Sequence, residues 1–164
     1  MIAAPETAPT HGGHGAASGA ICGTVLGFDY GARRLGVAVG ETSTRIASPL
    51  GAVDATAYEP RFAAIDAYVK EWRPVAFVVG QPRHADGSPH EVARLAAKFA
   101  RRLAARYKLA VMMVDETLSS AEAERQLRES GSRGARKAGV DALAASFILQ
   151  TFLDQPEGHE RIAP

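Results

Sequence analysis

The chain has 164 residues, of which 46% are hydrophobic and 23% charged, with a formal net charge of +1. This length suits one domain with a real core, and the composition excludes a disordered or fibrous chain. The near-neutral charge excludes polyanion binding by global charge alone, and the single cysteine, Cys22, excludes an intrachain disulfide.

The first stretch, Met1 to Ala20, is rich in Ala, Gly, Pro, Thr and His without periodicity and reads as a disordered tail. It lacks the basic and apolar regions of a signal peptide, and no apolar run approaches a membrane span. The sequence therefore points to the cytoplasm and to no membrane partner. His11 and His14 lie in Gly-rich sequence with nothing to hold them rigid, so a metal site is not expected there.

Gly23 to Tyr30 and Arg34 to Gly40 read as two strands joined by a hairpin-type turn. Ile46 to Val53 reads as a third, with Pro49 marking it as an edge. Thr56 and Glu59 have capping-box spacing, and the helix that follows places Phe62, Ile65, Tyr68, Val69 and Trp72 on one face before Pro74 ends it. Val75 to Val79 is a buried strand, and Gln81 to Gly87 a loop. Ser88-Pro89-His90-Glu91 starts a helix that runs to about Tyr107, with Val92, Leu95, Ala96, Phe99 and Leu103 inward. Leu109 to Val114 is another buried strand. Ser119 to Glu122 caps a further helix, Ser130 to Arg136 is a loop, and a last helix spans about Lys137 to Leu153. Gln155 to Pro164 reads as a frayed tail. The order, hairpin-linked strands first and strands joined by helical crossovers after, implies an α/β domain over 21–154 with a mixed sheet and helices on both faces.

Three acidic positions interrupt this apolar pattern. Asp29 ends a strand of Val25, Leu26 and Phe28, where a buried carboxylate needs a partner or a metal; the bland alternative is a turn aspartate. Asp115 and Glu116 lie where a buried strand stops. Strand side chains alternate faces, so one of them binds an ion while the other orients a neighbour or caps the next helix, or both act as caps. Asp141 falls among small residues of the last helix, leaving room for ions and substrate; its alternative is an exposed pair with Lys137. Together the three suit Mg²⁺ or Mn²⁺, hard cations that serve phosphodiester hydrolysis. No His/Cys cluster argues for zinc, and neither a Walker loop nor a nucleophile elbow is present. Arg33 and Arg34 flank the Asp29 turn, and Arg133, Arg136 and Lys137 precede Asp141, placed to hold a polyanionic backbone.

These residues resemble the YqgF family, also called RuvX. The resemblance rests on Gly27-Phe28-Asp29-Tyr30-Gly31, Arg34, Gly36-Val37-Ala38, Pro49-Leu50, Val78-Val79-Gly80 with Pro82, Asp86-Gly87, Phe99, Asp115-Glu116, Ser119-Ser120, Ala123, and Lys137 with Val140-Asp141 through Ala144 and Ile148-Leu149. It covers roughly Gly23 to Leu153. Members are regarded as Holliday junction resolvases or as nucleases that mature the precursor of small-subunit ribosomal RNA. The resemblance implies a ribonuclease H-like fold with a five-stranded mixed sheet, and a catalytic metal site of Asp29, Asp141 and one acid of the Asp115-Glu116 pair, with Glu116 favoured. It also shows departures: Thr117 stands where the family usually has Arg, Gln81 where it has Leu, and His84 where it commonly has Asn. Gly80 stands where the related RuvC resolvases carry a catalytic Glu.

The sequence thus leads to a magnesium-dependent endonuclease acting on structured RNA or branched DNA. The alternatives are a non-catalytic nucleic-acid-binding factor on the same fold and an actin-like ATPase, which one short domain cannot supply with a second lobe. A symmetric junction favours a homodimer, and an RNA end does not require one.

Overall fold

A computed structural model describes residues 19–31, 33–54, 56–82, 91–115, 125 and 136–164, with backbone alone at 54 and 136–138. The expected tail at 1–18, the loop and helix start at 83–90, and the capped helix and loop at 116–135 lie outside the described residues, apart from Arg125, which is helical.

The order is β1 (Thr24–Tyr30), β2 (Arg34–Glu41), β3 (Ile46–Asp54), α1 (Tyr58–Trp72), β4 (Ala76–Gln81), α2 (Glu91–Tyr107), β5 (Ala110–Asp115), α3 (Arg136–Asp154) and β6 (Glu160–Ile162). They form one six-stranded mixed sheet, β3-β2-β1-β4-β5-β6. β1 pairs antiparallel with β2 and parallel with β4, and β4 pairs parallel with β5. The hairpins and helical crossovers expected from the sequence are therefore present. β3 is an edge, and Pro49 sits opposite Ala38 beside a register shift, where a residue without an N–H does least harm.

Two expectations change. The sheet has six strands because residues 160–162, expected within a frayed tail, pair antiparallel with Val111 to Met113 of β5. Three residues are too few to show alternation, and the backbone ladder supplies the pairing. The capping box at Thr56 does not form: α1 starts after Ala57, which is extended (φ −92°, ψ 152°) and makes no side-chain cap bond. Pro60 fits that first turn, where its missing N–H has no intrahelical role. The helix ends as expected, with Arg73 left-handed (φ 47°) and its N–H donated to the Val69 carbonyl ahead of Pro74.

Alternation along the strands divides the core in two. Leu26, Phe28, Leu35, Val37, Phe77, Val79, Val111 and Met113 pack against Phe62 and Ile65 of α1 and Phe99 and Leu103 of α2. Val25, Ala38, Val78, Met112 and Val114 face Ala145, Ile148, Leu149, Phe152 and Leu153 of α3. Each fully buried large side chain contributes about 1.5–3 kcal/mol over exposure. Outside the core, α1 and α2 are clamped where Asp66 accepts hydrogen bonds from Arg106 (2.9 Å) and from the Tyr107 hydroxyl.

The α3 face is built for close approach. A Cβ on Gly27 would lie 2.8 Å from Leu149 Cβ, and one on Gly36 would lie 1.9 Å from the Asp141 carbonyl oxygen. The second contact is with backbone and cannot yield. Gly36→Ala is expected to lower stability by about 3 kcal/mol, as read by urea denaturation. A second test concerns the clamp. Its arginine and tyrosine hold the Asp66 carboxyl below its ordinary range, so the stabilisation is present above the unfolded pKa and fades as pH falls through the lower folded value. Asp66→Ala should cost about 0.5–1 kcal/mol at neutral pH. The difference from the wild type should shrink as the pH falls below the ordinary carboxylate range, as read by urea denaturation at several pH values.

Candidate active site

The sheet register brings two of the expected acids together. Asp29, the second-last residue of β1, has the face of Val25 and Gly27, towards α3. Its cross-strand partner is Gly36, and Gly36 lies directly beneath the Asp141 backbone. Asp29 and Asp141 therefore both border Gly36 at one end of one sheet face. Gly80, with the parity of Val78, falls on this same face and brings no carboxylate.

The ion pair of Asp141 that the structure describes runs across the layers, the Lys137 side chain lying outside the described residues. The Asp141 Oδ2 accepts from Arg34 Nε at 2.9 Å. Burial pushes the Asp141 carboxyl up, while the Arg34 guanidinium pulls it down. Arg34, expected as a backbone contact for substrate, is thus engaged with an acid of the site. Arg33, next to it in the turn, is exposed. Arg136 and Lys137 lie in the first turn of α3, with their side chains, like Glu116 and Arg133, outside the described residues.

Asp115 ends β5 and is exposed. It has the parity of Val111 and Met113, which pack towards α1 and α2, so it lies on the opposite face from Asp29. Among the described residues no three His, Cys, Asp or Glu side chains are grouped. The residues present nevertheless fit a hard divalent cation. They offer oxygen donors, and the partly buried Asp141 already draws a positive charge, that of Arg34.

One structural residue escaped the sequence reading. Arg61, in the first turn of α1, is only 7% exposed; its Nη2 donates to the Gly31 carbonyl at 3.2 Å, and its guanidinium lies over the Tyr30 ring at 5.0 Å. It fixes the turn that follows Asp29. Nothing local marks it, because its partners are distant in sequence.

The family model described as RuvX: Holliday junction resolvase matches residues 23–155. A protein of Dechloromonas aromatica (strain RCB), named "Putative pre-16S rRNA nuclease", is 52% identical over 135 residues, covering 82% of this chain and 92% of that one. A protein of the same name from Methylobacillus flagellatus is 49% identical over 133 residues, covering 80% and 91%. Among solved structures, T. thermophilus RuvC in complex with Holliday junction substrate superposes with a TM-score of 0.51 at 17% identity, covering 85% of this chain and 99% of that one. At that identity the likeness shows the fold, the ribonuclease H-like one. The chain belongs to the RuvX family.

The Arg34–Asp141 pair can be weighed by a double-mutant cycle. Arg34→Gln should cost about 1–2 kcal/mol, because it leaves a partly buried carboxylate without its cation, and less than half of that in an Asp141→Asn background. Chemical denaturation of the four proteins checks it; equal costs in both backgrounds would show that the pair contributes nothing.

Proposed function

We propose, on the premise of that membership, that the chain is a divalent-metal-dependent endonuclease that hydrolyses phosphodiester bonds in the precursor of small-subunit ribosomal RNA or in four-way DNA junctions. The observation that carries this reading is that Asp29 and Asp141 both border Gly36 at one end of one sheet face. The relatives' name and the family's description supply the two substrate classes.

In this reading Asp29 and Asp141 hold Mg²⁺ or Mn²⁺, with Glu116 as the third ligand. Asp115 is set aside because its parity is that of the opposite face. The bound ion supplies activation of a water and stabilisation of the leaving oxygen. The protein's own groups position that chemistry. Arg34 orients Asp141, and Gly36, having no Cβ, lets the Asp141 backbone come down onto the sheet beside Asp29. Arg33, Arg133, Arg136 and Lys137 grip phosphates around the site, which fixes the strand without reading its sequence. The enzyme acts in the cytoplasm, and it pairs with a second copy only where a symmetric junction demands two cuts.

Purified protein incubated with a ribosomal RNA precursor or a four-way junction should cleave in Mg²⁺ or Mn²⁺ and stop with EDTA. Asp29→Asn, Asp141→Asn and Glu116→Gln should each lower the rate by about 100-fold or more, a loss of roughly 2.7 kcal/mol or more of transition-state stabilisation. Asp115→Asn should stay within about threefold of wild type, under 1 kcal/mol on the same scale. No cleavage of either substrate, with Asp29→Asn indistinguishable from wild type, would overturn the reading. Salt-sensitive binding without metal-dependent cutting would leave a non-catalytic binding factor in its place.

A further inference from the structure

Next to Asp29 along β1, Tyr30 points to the other face of the sheet, where its ring meets Phe99 of α2 at 5.2 Å. A cleft of about 140 Å³ opens there between the start of α1 and the middle of α2. That is room for several waters. It would hold a phosphate group and not a whole nucleotide.

Among the described residues, the charged side chains that line it are Arg61, Lys98 and Arg102, all cationic. Lys98 and Arg102 lie one turn apart on the same side of α2. The Arg102 guanidinium is laid over the Tyr58 ring at 4.8 Å, and Tyr58 is in turn backed by Phe62 at 4.5 Å. A guanidinium held flat on a ring keeps its N–H edge free and oriented, which is the arrangement that suits phosphate oxygens. Among the described residues, neither Lys98 nor Arg102 takes part in a salt bridge. On this helix Arg101 also lacks an ion pair among the described residues but does not line the cleft, while Arg94 pairs with Glu91 at 2.6 Å and Arg106 with Asp66 at 2.9 Å. Unlike those two, Lys98 and Arg102 are left to an outside anion.

We propose that this cleft is a phosphate subsite, in which Lys98 and Arg102 take a backbone phosphate of the same nucleic-acid strand that reaches Asp29. The proposal rests on the nuclease reading for the identity of the strand. It goes beyond that reading in assigning a second contact on the opposite sheet face. Adjacent strand residues point to opposite faces, so the strand crosses the sheet edge at the end of β1. The turn it passes, Gly31, is the one Arg61 holds from below.

The test is the full-length Lys98→Gln/Arg102→Gln variant against a control of equal charge change remote from the cleft, Lys70→Gln/Arg161→Gln. Affinity for a labelled four-way junction and a labelled ribosomal RNA precursor fragment is measured by fluorescence anisotropy across a salt series, with EDTA present to prevent cutting. The cleft variant should bind about tenfold more weakly, with a salt slope smaller by about one, and the control should match wild type. Unchanged binding by the cleft variant, or an equal loss in the control, would overturn the subsite. Comparing 5′-phosphorylated with 5′-hydroxyl oligonucleotides separates the sources of the phosphate. Equal affinities support an internal diester, whereas tighter binding of the 5′-phosphorylated oligonucleotide that the cleft variant loses would overturn the path proposed here. ³¹P line broadening of inorganic phosphate, abolished in the cleft variant, reads the subsite without any cleavage. A nuclease reading that fails while this broadening persists is thereby distinguished from a failed subsite, which gives no broadening whatever the cleavage result. Circular dichroism and thermal melting of both variants verify that each is folded.

Discussion

Everything at the proposed centre depends on how near α3 comes to the sheet. Close packing of a helix on a sheet is normally limited by the side chains between them. Here Gly36 removes that limit at the one place where Asp141 must descend towards Asp29, and Gly27 does the same for Leu149 one layer further along. The apolar contacts of Ile148, Leu149 and Phe152 hold the helix down. The geometry of the acids is thus a by-product of core packing, and the core enforces it.

The two sheet faces divide the work. The α3 face combines a glycine-lined approach with the acids. The α1 and α2 face carries most of the aromatic packing, with Phe28, Phe62, Phe77 and Phe99 in mutual ring contact. Arg61 links that rigid layer to the turn after Asp29. Arg61, buried under the loop, holds the backbone after Asp29, and a second arginine, Arg34, pairs with the Asp141 carboxylate itself. Preorganisation of this kind lets a ligand set bind without first paying to order itself.

Much of the fold was legible because local pattern and global fold agree. β1, β4 and β5 are runs of β-branched and large apolar residues too short for helices, and α2 shows its buried stripe at helical spacing. Asp29 was legible for the opposite reason, a charge where the pattern allows none. What the pattern could not carry was long-range. The six-stranded count depends on β6, whose three residues, Glu160, Arg161 and Ile162, gain their place from ladder bonds to β5 that any sequence can make. The start of α1 at Ala57 was hidden because Thr56 and Glu59 have the right spacing for a box that the backbone does not use. Helix spacing offered Lys137 as the alternative partner of Asp141, and that side chain lies outside the described residues; the ion pair with Arg34, on another layer, had no local signal. Strand parity, once the register is known, does what sequence alone left open and puts Asp115 on the wrong face for Asp29.

The separation of Asp29 and Asp141 along the chain has a consequence during synthesis. Every strand from β1 to β5 precedes α3. A chain that has emerged only that far holds Asp29 and Gly36 but neither Asp141 nor the β6 that completes the sheet. The pairing of those two acids therefore waits on the last helix of the chain.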